Sequence, residues 1–155
     1  MTLEDALERE AAAGTPAAAV TLLLVDDDDV AAESVERSLR KANLAFRVVW
    51  AEDGAVALDI LRGRDPARQV PRPRVVLLDL NMPRVDGFEF LRELRTDPAL
   101  RDDVVFVLTT SEIDSDRTRA YHENIAGYMV KSAVGPQFMR LARLLASYQA
   151  AVSLP

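Results

Sequence analysis

The sequence predicts an α/β fold: a doubly wound sheet of five parallel strands with helices on both faces. Three observations predict it. Short, β-branched apolar runs alternate with stretches of helical period. Several of those runs are apolar at every position, as strands covered on both faces are. Acids, a hydroxyl and an amine stand directly after the runs, where an open parallel sheet presents its ligand site.

The strand runs are Val20–Val25, Phe46–Trp50, Val75–Leu78, Val104–Leu108 and Gly127–Val130. The first, third and fourth are continuously apolar and predict central strands. Between them, Val30, Val35 and Leu39 share a stripe, as do Ala57, Ile60 and Leu61. Leu91 and Leu94 continue the pattern, and Phe138, Leu141, Leu145 and Tyr148 give the last helix the clearest spacing. Asn43, Gly63 and the run Thr96-Asp97-Pro98 punctuate the ends of the first three helices. Asp28 and Asp29 suit a helix N-terminus, with Asp29 as the expected N-cap. The expected division is an N-terminal extension over 1–19, one domain over 20–149 and a short tail over 150–155. The extension is broken by Gly14-Thr15-Pro16 and is expected to be flexible or to carry a short helix through Leu3 and Leu7.

Bulk properties bound the function. The 155 residues are 49% hydrophobic and 28% charged, ordinary for one soluble domain. No apolar run approaches the length that spans a bilayer, and MTLEDALERE lacks the basic-then-apolar layout of a signal peptide. With no cysteine, disulfides and thiolate metal sites are excluded. These features predict a cytoplasmic protein without a membrane partner. A formal net charge of −6 gains nothing from a phosphate backbone, so no nucleic-acid partner is expected.

The strand ends carry the chemistry. The first strand runs into Asp26 and Asp27, the third into Asp79, the fourth into Thr109 and the fifth into Lys131. The second ends blandly in Trp50-Ala51, as an edge strand away from the site would. Two like charges 4 Å apart at an effective dielectric of 20 repel by about 4 kcal/mol, so such acids take up protons or a divalent cation. All-oxygen ligands select a hard ion such as Mg²⁺, which readily shares oxygens with a phosphoryl group. Lys131 then supplies a point charge and Thr109 a hydroxyl donor to phosphoryl oxygens. Asp79 precedes the sharp loop of Asn81-Met82-Pro83 and Asp86-Gly87, which exposes it as a nucleophile able to form an aspartyl phosphate.

The segments LLLVDDDD, VVLLDLNMPRVDGFEFL, VFVLTTS and GYMVK resemble the receiver domains of two-component response regulators, over about Val20 to Tyr148. The resemblance implies the flavodoxin-like strand order 2-1-3-4-5, with Asp79 as phosphoacceptor and Asp26 and Asp27 as the acid pair. It implies that the backbone carbonyl of Asn81 completes a Mg²⁺ shell and that Thr109 and Tyr128 are switch residues. Lys131 is the matching lysine, and Asn81 and Ser111 occupy rate-tuning positions. Thirty residues separate Asp79 from Thr109 and twenty-two separate Thr109 from Lys131, as in the family. The long Arg62–Arg74 segment, the Thr109-Thr110-Ser111 run and the Thr96–Leu100 linker resemble single-domain regulators partnered with bacterial phytochromes. A histidine kinase, with a bacteriophytochrome as the subfamily's choice, is therefore the implied partner, and dimerisation through the last two helices and fifth strand the implied assembly. The signal then passes by protein contact or returns to the kinase, since the tail is too short for an output module.

One departure stands out. The family usually follows its lysine with a proline, often in a cis bond; here Ser132 takes that place, leaving the loop geometry and the amine's placement open. Two other functions remain in view. An adaptor with a degenerate site draws support from Ser132 alone. A phosphohydrolase with an aspartate nucleophile typically needs a second acid where Asn81 stands. Of the remaining residues, Trp50 and Phe106 read as packing, His122 as an exposed helix residue, and Arg117 and Arg119 as surface charges.

Overall fold

The computed structural model describes residues 2–4, 20–44, 46–82, 84–133 and 138–155. The expected extension lies outside these but for residues 2–4. The chain runs β1 (Thr21–Val25), α1 (Asp29–Lys41), β2 (Arg47–Ala51), α2 (Gly54–Leu61) and β3 (Arg74–Leu78). It continues through α3 (Gly87–Thr96), β4 (Val104–Thr109), α4 (Asp114–His122), β5 (Gly127–Val130), a 3₁₀ turn (Lys131–Ala133) and α5 (Met139–Ala151). Every strand begins and ends within one residue of its apolar run, because the run is what the sheet buries.

All pairings are parallel and the strand order is β2-β1-β3-β4-β5. The chain therefore leaves β1 in one direction to form β2 and returns past it to form β3, which opens a crevice at the carboxyl ends of β1 and β3. Strand pleating divides the core into two layers. Leu23, Val25, Val76, Leu78, Val105 and Val107 face α2, α3 and α4 and pack on Ala57, Ile60, Phe90, Leu91, Leu94 and Ala120. Leu22, Leu24, Val75, Leu77, Phe106 and Leu108 face the other way, onto Val35 and Leu39 of α1 and Leu141 and Leu145 of α5. Burying one such aliphatic side chain contributes about 1.5–3 kcal/mol, so these alternating contacts fix the register of the strand ends. Phe106 is a packing residue as expected, its ring edge-on to Tyr148 at 4.9 Å.

Helix ends follow local chemistry. Asn43 and Gly63 have positive φ, at 56° and 73°, where the first two helices stop. Asp28, not Asp29, is the N-cap of α1: its backbone is extended and its carboxylate accepts from the N–H groups of Val30 and Ala31. Within a run of four aspartates only backbone conformation separates the two. Val30 is also displaced from its expected place in the buried stripe. It lies in the first turn of α1 and is 66% exposed. At the other end α5 continues to Ala151, into the expected tail, and Leu154 packs back on the α1/α5 layer.

The Arg62–Arg74 segment is ordered by its charges. Asp65 accepts from the N–H groups of Ala67 and Arg68 and pairs with the Arg68 guanidinium, which holds its carboxyl below the usual range. Arg68 also reaches Glu52 and the Trp50 carbonyl on the edge strand β2. Farther on, Arg74 makes a two-pronged bond to Asp103 at 2.7 and 2.8 Å, both side chains withdrawn from water. No helix among the described residues is long and apolar enough to cross a membrane.

Candidate functional site

Register brings the predicted residues together. Val25 lies opposite Leu78, so Asp26 and Asp79, each the next residue, emerge side by side at the crevice. Thr109 ends β4 opposite Val130, which places Lys131 just beyond it. The carboxylates of Asp26, Asp27 and Asp79 offer oxygens within 4.8 Å of one another. Lys131 Nζ donates to Asp26 at 2.9 Å and reaches Asp79 at 3.4 Å.

The three acids are held differently. Asp26 is buried, and both its oxygens are engaged, one by the Asp28 N–H at 2.9 Å and the other by Lys131. Burial pushes its carboxyl above the usual range, against the pull of the Asp28 N–H and of Lys131. Asp27 is exposed, and its carboxylate bonds to nothing among the described residues. Asp79, expected to be exposed by the loop that follows it, is instead buried, yet loosely tied, accepting from the Asn81 N–H at 3.3 Å besides the long Lys131 contact. Burial lowers the Lys131 amine, but Asp26 and Asp79 together outweigh it and hold the proton on.

Backbone fit fixes the position of Asp79. The Asp79 N–H donates to the Val25 carbonyl at 2.9 Å, and the Gly87 N–H to the Leu80 carbonyl at 3.0 Å. A Cβ on Gly87 would stand 2.6 Å from the Asp79 carbonyl oxygen and from Leu80 Cα. Only glycine lets the start of α3 close so tightly on the Asp79 peptide. Asp86 caps that helix by accepting from the Glu89 N–H. Arg84, at φ 62°, pairs with Asp53, the N-cap of α2, and ties the loop after Asp79 to that helix.

The far side of the site is a connected set. Thr109 is fully buried, and its hydroxyl accepts from the Ser111 N–H at 3.3 Å. The Tyr128 hydroxyl donates to the Ser111 carbonyl at 3.0 Å, its ring half-buried against the core. Burial pushes that phenol's pKa up. The Ser111 hydroxyl donates to Asp116 at 2.6 Å. Ser132, in place of the family's proline, forms a trans bond with Lys131, and its hydroxyl donates to Glu112 at 3.2 Å. The 3₁₀ turn that follows still delivers the Lys131 amine to both acids.

Asn81 is exposed beside Asp79, and His122, Arg117 and Arg119 are exposed on α4 as expected. Arg119 also lies over the Phe88 ring at 4.0 Å. Trp50 overturns its sequence reading. It is 37% exposed and donates its indole N–H to the Asp26 carbonyl at 2.7 Å, so the edge strand does reach the site. The signal was an aromatic with a polar tip at a strand's carboxyl end.

The donor set fits a hard divalent cation. It is all oxygen, it crowds three acids with one lysine, and one carboxylate is left without a partner among the described residues.

A family model described as the response regulator receiver domain matches residues 22–143. The probable methanogenesis regulatory protein FilR2 of Methanothrix harundinacea is 39% identical over 97 residues, which is 63% of this chain and 62% of that protein. The chain thus spans less than two thirds of that relative. Response regulator Rcp1 of Synechocystis is 34% identical over 98 residues, 63% of this chain and 67% of Rcp1. Its Mn²⁺-bound structure superposes with a TM-score of 0.76 at 30% identity, covering 88% of this chain and 99% of that one. The phosphorylated cyanobacterial phytochrome response regulator RcpA gives a TM-score of 0.78 at 30% identity, covering 89% and 99% of the two chains.

Proposed function

The chain belongs to the response regulator receiver domain family, and from that premise we propose that it accepts a phosphoryl group on Asp79 from a histidine kinase and signals by the surface change that follows. The observation that carries this reading is the convergence of Asp26, Asp27, Asp79 and Lys131 on one point at the β1/β3 crevice, with the buried Thr109 hydroxyl ending the next strand. Asp27, Asp79 and the Asn81 backbone carbonyl would hold Mg²⁺, with Asp26 acting through water. A bound divalent cation supplies positive charge shared between the acids and the phosphoryl oxygens.

The chain's own residues do the rest. A carboxylate oxygen of Asp79 attacks phosphorus in line, and the P–N bond of phosphohistidine breaks with its electron pair returning to the imidazole. Lys131, kept protonated by Asp26 and Asp79, neutralises charge on an equatorial oxygen. The Thr109 hydroxyl leaves the Ser111 N–H to donate to another. Tyr128, released from the Ser111 carbonyl, turns farther inward, and the β4–α4 loop, β5 and α5 change their outer surface. The phosphoryl group biases this equilibrium because only one state makes the contact. Asn81 and Ser111 flank the site and tune hydrolysis.

The phytochrome response regulators among its structural relatives support a bacteriophytochrome-type kinase as the donor, and the proposed setting is the cytoplasm. β5 is a sheet edge, half-buried along its length, which supports a homodimer through α4, β5 and α5. Lys131 reaches both acids despite Ser132, which weakens the case for a phosphorylation-independent adaptor. Incubation with a phosphorylated bacteriophytochrome kinase domain tests the reading: label should pass to the wild type and not to Asp79→Asn. Equal labelling of the two would sink the assignment.

A further inference from the structure

Trp50 stands outside the phosphoryl-transfer set, yet it touches the acid pair. Its indole N–H donates to the backbone carbonyl of Asp26 at 2.7 Å, across 24 residues of sequence. That carbonyl shares one rigid peptide plane with the N–H of Asp27. Its neighbours are anchored on either side, upstream where the Asp26 N–H donates to the Ala51 carbonyl at 3.1 Å and downstream where the Asp28 N–H donates to the Asp26 carboxylate at 2.9 Å, but among the described residues Trp50 alone bonds to the plane itself. Asp26 needs no further help, since both its carboxylate oxygens are engaged. Asp27 does, because its exposed carboxylate bonds to nothing among the described residues. The direction in which Asp27 leaves the strand end is therefore set by the plane that Trp50 holds together with the Asp28 N–H bond beyond it.

Trp50 is itself braced. As a residue of the edge strand β2 it has one side unpaired, and Arg68 from the Arg62–Arg74 segment donates to its carbonyl at 3.3 Å while pairing with Glu52 at 2.9 Å. A strut thus runs from the inserted segment through β2 to the acid pair.

We propose that Trp50 is a positioning residue for the divalent cation site, fixing the Asp26–Asp27 peptide through its indole N–H so that the Asp27 carboxylate is aimed at the cation. The proposal rests on the acid cluster being that site. Partners one step behind a metal ligand typically alter affinity 10–100-fold when removed. Trp50 acts on the backbone of one ligand among several, so the low end applies.

The test is Mn²⁺ binding to the full chain, read from the free-ion electron paramagnetic resonance signal without any phosphoryl donor. The variants are Trp50→Phe, Asp27→Asn, and the chain carrying benzothienylalanine at position 50, which keeps the indole's shape with sulfur in place of N–H. Both position-50 variants should bind Mn²⁺ about tenfold more weakly while staying folded, with melting temperatures lower by no more than a few degrees, and Asp27→Asn should bind more weakly still. Wild-type affinity in the benzothienyl chain overturns the strut even if Trp50→Phe fails to fold. Should Asp27→Asn bind like the wild type, or the wild type bind no Mn²⁺, the cation-site reading falls and the strut with it. Should Asp27→Asn lose binding while both position-50 variants keep it, the strut alone falls.

Discussion

Replacing Asp103 by Ala should destabilise the fold severely while leaving the candidate site around Asp79 intact. Asp103 has a fully buried side chain and receives two hydrogen bonds from Arg74, at 2.7 and 2.8 Å, and a third charge contact from Arg72 at 3.2 Å. The Arg74 side chain is only 10% exposed, and without Asp103 its guanidinium keeps a single bond, to the Val70 carbonyl at 3.0 Å. Removing one partner of a buried pair costs about 3–5 kcal/mol, because the other charge stays desolvated. A domain of this size has only about 5–15 kcal/mol to lose. At about 2–4 °C per kcal/mol the melting temperature should fall by roughly 6–20 °C. Urea unfolding followed by circular dichroism measures the loss directly. Two comparisons give the number meaning. Glu33→Ala breaks an exposed pair with Arg37, 61% and 66% accessible, and should cost no more than about 0.5 kcal/mol. Arg74→Met combined with Asp103→Leu removes both charges and should lose less than Asp103→Ala alone. Arg74 begins β3 and Asp79 follows its end, roughly 16 Å away at about 3.3 Å per residue. Phosphorylation of the folded variant should thus match the wild type. A loss under about 1 kcal/mol, or a double variant as unstable as the single one, would refute the reasoning from burial.

Two further predictions bear on the site. Gly87→Ala places a methyl 2.6 Å from the Asp79 carbonyl oxygen and Leu80 Cα, so it should cost about 1–3 kcal/mol and slow phosphorylation of the folded protein. Gly63→Ala, strained at φ 73° but in open space, should lower the unfolding midpoint without slowing phosphorylation. Lys131→Met removes the only cation within reach of Asp26 and Asp79 among the described residues. It should slow phosphorylation about 10²-fold in a single-turnover assay, and an unchanged rate would show that the amine plays no part in the transfer.

The strands were legible because a parallel sheet buried on both faces writes itself as uninterrupted apolar runs. Four helices were legible from stripes that the structure largely buries, as with Leu141 and Leu145. α4 left no stripe, since Ala120 is its only buried residue and the rest is charged or polar. The candidate site residues were readable as strand-end residues, and register brought them together. What sequence concealed depends on contacts between distant segments. The Arg74–Asp103 pair joins positions 29 apart, and nothing in local periodicity marks an arginine at a strand start as buried. Trp50 read as an edge residue away from the chemistry, because its strand carries no acid and its bond is made by a side-chain N–H to a backbone carbonyl. Likewise Asp28 displaced Asp29 as N-cap through backbone conformation, which a run of identical residues cannot reveal.

The central claim is that Asp79 takes a phosphoryl group at a cation-dependent site. Its most direct test is intact mass after incubation with acetyl phosphate, with Mg²⁺ or with EDTA, for the wild type and Asp79→Asn. A gain of a single phosphoryl group is predicted for the wild type in Mg²⁺ and in no other sample. The same gain in Asp79→Asn, or in EDTA, would contradict the account.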